Sequence, residues 1–584
     1  MDIKNLNEFP EGETFETDLL IIGGGAAGLT IAREFFGTST KVMIAESGDK
    51  DQTDEHEKLN EVVLDSKSIP DTWLNRRRDY HGHQAEKWDA DVQRFGVRCR
   101  GLGGSTAAWA GKSAPFSEHD FVDRDWLPIS GWPMSRGDLA PYFRRAEERM
   151  NLGHGSYGDD FWERYSGKAK QPGFDNQVMS SFLWQFARSR TNPVSMMRMG
   201  PDFIAEKGDT SNIHILVNAT AKCVTPVETA TGEYVDVDLV GLGKVSGKVR
   251  AKKVVISCGA LENARLLLAS KTKNPNGLGN DRDQVGRYLM DHMSAPLASF
   301  DKEHVKAMSY LFGFFGIKSD NRVDMYMHGF ELNMPTQQIE ELLSVGAYCV
   351  PERAGDDPWG ALVALLRGKS ESIPRDMFRV VKGTRMMVSG AGRIFLQSDK
   401  VPSFIRNSIV NTMVRLFPNS VVEEYQSGGL PRKLIGCNFE GIVEQEPLAH
   451  NRVLLSDQLN ALGEPLPFVE WEPGERPIRT LRQLGVHMEK QFVHAGLPAP
   501  KVQDWVLDEN LPVPLIDMAH TSGTTRMSSD ASTGVVDEYC KVRHTQGVYV
   551  AGGSVLPTCG HANPTLMIVS LAIRLADTLK QELG

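Results

Sequence analysis

Four apolar residues, Leu19-Leu20-Ile21-Ile22, run directly into Gly23-Gly24-Gly25, and glycine recurs at Gly28. A short, continuously apolar strand suits a parallel sheet covered on both faces. The next residues, Leu29-Thr30-Ile31-Ala32-Arg33-Glu34-Phe35, read as a helix. Strand, glycine turn and helix in that order give a G-x-G-x-x-G spacing its meaning. Gly23 allows the tight turn, Gly25 lets backbone approach a pyrophosphate, and Gly28 lets the helix pack closely on the strand. With Ala26 and Ala27 between them, they form a candidate phosphate cradle at the positive end of the helix. Lys41–Glu46 is a second strand, and its acid stands eighteen residues after Gly28, placed to bind a ribose hydroxyl. The plainer alternative is a glycine-rich turn in some other α/β protein. The acid at Glu46 favours an adenine dinucleotide.

A chain of 584 residues has room for two to four domains with large cores. Its 41% hydrophobic and 24% charged residues are ordinary for a globular protein. A net charge of −10 argues against a general nucleic-acid or anionic-membrane binder. No apolar run approaches the roughly twenty residues needed to span a bilayer, and residues 1–7 show no secretory h-region. The seven cysteines are scattered without a CxxC pair, which predicts free thiols, a cytoplasmic setting and no metal site.

The stretch Arg98–Trp109 is dense in small residues, including Gly103, Gly104, Ser105, Thr106 and Ala108. Such a backbone can lie directly against a flat ligand. Further on, Tyr234–Val240 and Lys244–Val249 alternate as a meander, and Lys252–Ala260 is a buried strand feeding a helix from Leu261. Strand, glycine, helix thus recurs, as a doubly wound sheet requires. From about 295 to 500 the pattern changes to antiparallel strands, among them a half-exposed Asp324–Met334, with a helical excursion over about 350–420 that includes Trp359–Leu366 and Ser403–Leu416. Phe312, Phe314 and Phe315 suit either core packing or a pocket wall. Residues 501–584 return to the first unit through a strand ending in Gly553 and Ser554 and a helix opening on Pro564 and Thr565. The reading is α/β: a Rossmann-like doubly wound unit over 1–294 and 501–584, and an antiparallel-sheet substrate unit over 295–500.

These landmarks together resemble the glucose–methanol–choline (GMC) oxidoreductase family, nearly end to end. Gly101–Ala110 is similar to the first family signature and Gly259–Leu267 to the second. Val285–His292 and His520–Met527, with Asn563-Pro564-Thr565 downstream, complete the likeness. Around His520, Asn563 and Glu444-Gln445-Glu446-Pro447 the spelling is closest to pyranose oxidases and bacterial sugar dehydrogenases. The resemblance implies a GMC fold, FAD, and flavin contacts from Gly103–Thr106, Ala108, Trp109, Ala260, Gly553, Ser554, Asn563, Pro564 and Thr565. It implies His520 as the base that takes a hydroxyl proton, with Asn563 on the same hydroxyl and hydride passing to flavin N5. His561 is the competing base, and His292 reads as structural. Pyranose oxidases tether flavin to a histidine in the first-signature loop; Ala107 and Ala108 stand there, so the flavin is expected to be non-covalent.

The implied reaction is oxidation of a secondary ring hydroxyl of a pyranose or glycoside, with oxygen or an external acceptor reoxidising the flavin. Gln445, His561 and Tyr310, with Gln397 and Trp471, are the expected substrate contacts. Three alternatives stay open: a non-sugar alcohol as substrate, a flavin subunit docking a membrane or haem partner, and a lyase without net redox. A homo-oligomer is also left open.

Overall fold

The structure is a computed structural model that describes residues 1–65, 71–82, 85, 87–153, 155–164, 171–190, 195–230, 232–319, 322–354, 358, 361, 362, 365, 370, 372–383, 412 and 434–584. Gln397 and most of the expected helical excursion lie outside the described residues.

The apolar run before the glycines is the end of a ten-residue strand, Glu13–Ile22, at the centre of an eight-stranded sheet. Val42–Ala45 pairs with it in parallel on one side and Ser246–Ile256 on the other. Ile213–Val217 and Asp2–Asn5 extend the parallel array, and Val548–Val550 joins Ser246–Ile256. Ile22 lies beside both Ala45 and Ile256, and Ile256 beside Val550. The turns after these strands (Gly23, Glu46, Ser257, Ala551) therefore leave one carboxyl edge together. That edge is where open α/β sheets bind ligands. The meander over Thr220–Thr229 and Gly232–Val240 closes the far side, antiparallel. The expected strands at 244–249 and 252–260 are one continuous strand ending at Ile256.

Among the described residues the second sheet is antiparallel and has nine strands. Met293–Asp301, Leu434–Val443, Val345–Arg353 and Arg322–Leu332 come from the middle of the chain. Met179–Phe186 and Lys112–Ser113 come from before residue 294, and Lys501–Val502 and Ile516–Asp517 from after residue 500. The two sheets are thus interleaved along the chain. The helix Glu475–His494 buries Leu481, Leu484, Met488 and Phe492 at helical spacing. Leu481 reaches Gly441, where a Cβ would meet its methyl group at 2.7 Å. The strand Arg322–Leu332 overlaps Asp324–Met334, which was expected to be half exposed, yet Val323–Phe330 is buried on both faces. Within it, His328 Nδ1 meets the Leu311 carbonyl at 2.6 Å. Phe312 packs in an aromatic core with Phe330, Phe439 and Phe492, while Phe315 joins a smaller cluster with Phe161 and Tyr326.

Candidate active site

A cavity of about 520 Å³ lies between the carboxyl edge of the parallel sheet and the face of the antiparallel one. At one end are Gly23, Gly25, Ala26, Ala27 and Glu46. Gly23 turns with φ +97°, and a Cβ there would meet the Ser257 carbonyl at 2.7 Å. A Cβ on Gly28 would meet the Gly23 carbonyl oxygen at 2.1 Å, so the helix Ala26–Glu34 can approach the strand only because residue 28 has none. At Gly25 the same position is open space facing the cavity, and no side chain caps the helix. Its free N–H groups therefore remain available to an anion. The Glu46 carboxylate accepts from the N–H groups of Gly24 at 2.7 Å, Gly48 at 2.8 Å and Gly101 at 3.2 Å. Burial nonetheless pushes its pKa up, against those three bonds and Arg100. Nearby, Glu262 binds Arg98 at 2.7 Å and Arg265 at 2.8 Å. Sequence reading singled out none of these three as site residues, although all sit on the wall.

Gly104, Ser105, Thr106, Ala108 and Trp109 line the middle of the cavity, with Ala260 and Gly553 opposite. Gly103 sits behind, its N–H on the Gly24 carbonyl at 2.8 Å. Ser554 also sits behind, bonded to Thr525 at 2.7 Å and Asn263 at 2.8 Å. Asn563, Pro564 and Thr565 face the cavity at the start of the helix Thr565–Leu583, which has no side-chain cap.

At the far end His520 and Asn563 meet. Asn563 Nδ2 lies 3.2 Å from His520 Nε2, and the Asn563 side-chain oxygen is buried with no protein partner. On the other side of the ring, His520 Nδ1 lies 2.9 Å from Nδ1 of His292. The His520 backbone N–H donates to Asp291 at 2.8 Å, and Ala519 before it is held at φ +58°. A non-glycine residue in that region is uncommon and is found at constrained sites. Burial, then His292 and Lys112, hold the His520 imidazole well below its ordinary pKa. Beneath it, Asp517 pairs with the fully buried Arg77 at 2.8 Å. Burial and the Asp517 charge push the Asp291 carboxyl beside it well up.

The wall contributed by the antiparallel sheet includes Lys112, Phe186, Phe314, Met327 and Tyr348, with Tyr80 from a helix. Lys112 Nζ lies 3.6 Å from the ring centre of Tyr348 and 4.0 Å from that of Trp184. No carboxylate among the described residues pairs with it, and burial holds its amine well below the ordinary lysine value. Tyr80 and Tyr348 hydrogen-bond one another.

Four expected substrate contacts lie elsewhere. Tyr310 is 70% exposed, because its helix Lys302–Phe312 turns Val305, Met308 and Phe312 inward. The Gln445 amide is consumed internally: it accepts from the Asp291 N–H and from Trp471, both at 2.9 Å, and donates to the Glu472 carbonyl at 2.7 Å. Trp471 is buried with it. His561 is sealed between Phe182 and Trp184 and bonded to Ser344 at 2.9 Å, off the cavity wall.

Residues 447–572 match the C-terminal family model of the GMC oxidoreductases. The stretch contains His520 and Asn563. Over that stretch the chain is similar to the GMC oxidoreductases. It is similar to the paromamine 6'-oxidase of Streptomyces fradiae, 23% identical across 97% of this chain and 92% of that one. It is similar also to the fructose dehydrogenase large subunit of Gluconobacter japonicus, 22% identical across 98% and 99%. Among solved structures, the pyridoxine 4-oxidase from Mesorbium loti shares the fold, with TM-score 0.52 and 14% identity over 97% of this chain and 99% of that one. The protein is an oxidoreductase that acts on CH–OH groups, and the family whose model it matches implies FAD. The cavity fits that cofactor. It has open space at Gly25, an uncapped helix start at each of two places, and a long wall of small residues from Gly104 to Ala108. Among the described residues, no helix is long and apolar enough to cross a membrane.

Proposed function

We propose that this enzyme oxidises a secondary ring hydroxyl of a pyranose or glycoside, with His520 as base. One observation carries the reading: His520 Nε2 and the Asn563 amide are 3.2 Å apart on the cavity wall, and the Asn563 oxygen has no protein partner. A substrate hydroxyl seated between them can give its proton to Nε2 and accept from the amide N–H. Positioned hydrogen bonds of this kind favour the developing alkoxide. Bound FAD, held by Gly23–Gly28, Glu46, the 103–109 loop and Asn563–Thr565, supplies the hydride acceptor. Tyr348, Phe186 and Phe314 offer apolar ring faces, and Lys112 offers a donor to hydroxyls. That mixture suits a sugar, and the names of the paromamine oxidase and fructose dehydrogenase relatives point the same way, whereas another relative is a 2-methyl-1,2-propanediol dehydrogenase.

Anaerobic mixing with a panel of pyranoses, glycosides, choline, benzyl alcohol and cholesterol tests the class. Flavin bleaching by sugars or glycosides is the expected result, and preference for a non-sugar alcohol would sink the reading. A second expectation concerns attachment: neither Ala107 nor Ala108, the latter on the wall, offers a nucleophile, so acid precipitation releases the flavin into the supernatant. A yellow pellet over a colourless supernatant would mean a tether elsewhere. A third concerns Lys112. A hydrogen bond from an amine whose charge burial disfavours contributes about 0.5–1.5 kcal/mol, so Lys112→Met is expected to raise KM by roughly 2- to 10-fold while flavin affinity holds. An unchanged KM for every accepted sugar would remove Lys112 from the substrate site.

A further inference from the structure

Behind His520 the hydrogen bonds run inward and stop. His292 is fully buried, and its Nε2 lies 3.0 Å from the Cys559 carbonyl oxygen. A carbonyl only accepts, so the His292 proton sits on Nε2. Burial holds that imidazole down to about 4, so it is neutral and carries no second proton. His292 Nδ1 is then a lone pair, and the nitrogen 2.9 Å away, His520 Nδ1, must be the donor. A neutral His520 protonated at Nδ1 presents an unprotonated Nε2 to the cavity. Asn563 agrees, because the group that it turns to Nε2 is its amide nitrogen, a donor, at 3.2 Å.

We propose that His292 is a positioning residue: through the Cys559 carbonyl it fixes His520 in the Nδ1–H tautomer, the one form that can take a proton from substrate. The proposal rests on the reading of His520 as base. During the reaction the substrate O–H bond breaks and its proton binds His520 Nε2. The imidazolium keeps its Nδ1 proton, donated to His292, in a bond strengthened by the charge. His292 passes nothing on, since the next group is a carbonyl that cannot be protonated at neutral pH. The proton acquired at Nε2 therefore leaves by the way the substrate came, through the cavity. The charged and titratable groups facing this pair, namely Asp291, Asp517 with Arg77, His81, Lys112 and Glu444, leave that chain of donors and acceptors intact.

The test reads protonation at the nitrogens directly. In FAD-loaded enzyme labelled with ¹⁵N-histidine, His520 is assigned by loss of its signals in His520→Gln. The expected spectrum has His520 protonated at Nδ1 and bare at Nε2. His292→Leu is expected to mix the two tautomers and to lower kcat by ~10-fold or more, because the wrong tautomer of a catalytic histidine is inactive. His292→Asn, whose side-chain oxygen can accept from Nδ1, is expected to restore the single tautomer and most of the rate. Nε2–H on His520 in the wild-type enzyme overturns the inference, as does an unchanged tautomer in His292→Leu. If that variant does not fold, the wild-type spectrum alone decides. The tautomer is read without substrate, so failure of the sugar reading leaves this test standing and distinguishable.

Discussion

Replacing His520 by alanine is expected to lower turnover by ~10²–10⁴-fold while FAD stays bound with an unaltered spectrum. The separation follows from geometry. The glycine turn, Glu46 and the loop Gly104–Trp109 hold the cofactor end, whereas His520 stands at the far end of the cavity with Asn563. His561 is sealed behind Phe182 and Trp184, so it offers no replacement base. The pH dependence carries a sign. Burial, then His292 and Lys112, depress the His520 pKa well below the ordinary value, so the base is already unprotonated at neutrality. In the wild-type enzyme kcat/KM is expected to hold as pH falls past the ordinary histidine range of about 6.5. It then declines only at distinctly lower pH. Rates across pH 4–9 on an accepted substrate check both points. Retained turnover in His520→Ala would move the role elsewhere.

How much of this was legible depended on how local each feature is. The turn at Gly23, the close approach at Gly28 and the acid at Glu46 lie within one strand–turn–helix–strand unit, so spacing alone located them. Glu46 shows the limit of that description, since its carboxylate already holds three backbone N–H groups. His520 and Asn563 are 43 residues apart and were paired only through family likeness. Lys112, Tyr80 and Tyr348 meet because a two-residue strand, a helix and a central strand converge, and no sequence period links them. Tyr310 is the instructive miss. Val305, Met308 and Phe312 recur at helical spacing, and reading that period would have sent Tyr310 outward. His292, read as structural, does lack cavity exposure, yet its ring touches His520.

Arg124→Met is expected to cost about 3–5 kcal/mol of stability, the usual price of stranding one member of a buried ion pair. Arg124 and Glu444 are both buried and joined by two parallel bonds, of 2.7 and 2.8 Å. Glu444 also accepts from the Ser344 N–H at 3.1 Å, and Ser344 in turn holds His561. The pair therefore ties the loop around residue 124 to the edge of the antiparallel sheet and to the segment that carries Asn563. Burial alone would raise the Glu444 pKa, but the Arg124 charge and its hydrogen bonds outweigh burial and hold it below the ordinary value. In the wild type this contribution is complete above the ordinary carboxyl pKa of about 4.3 and is lost as pH falls through the lower folded value. Without Arg124, burial raises the folded value instead, so that carboxyl favours folding only at low pH and opposes it as pH rises. The stability gap between wild type and variant is thus expected to be widest at neutral pH and to narrow toward pH 4. Adding Glu444→Gln to Arg124→Met removes the stranded charge and is expected to recover part of the loss, since an uncharged pair avoids the desolvation of an ion. Denaturation midpoints of the three proteins at pH 7 and pH 4.5 measure it. A neutral-pH loss under about 1 kcal/mol, or a double variant no better than the single one, would show that Glu444 is reached by water or by another cation when Arg124 is gone.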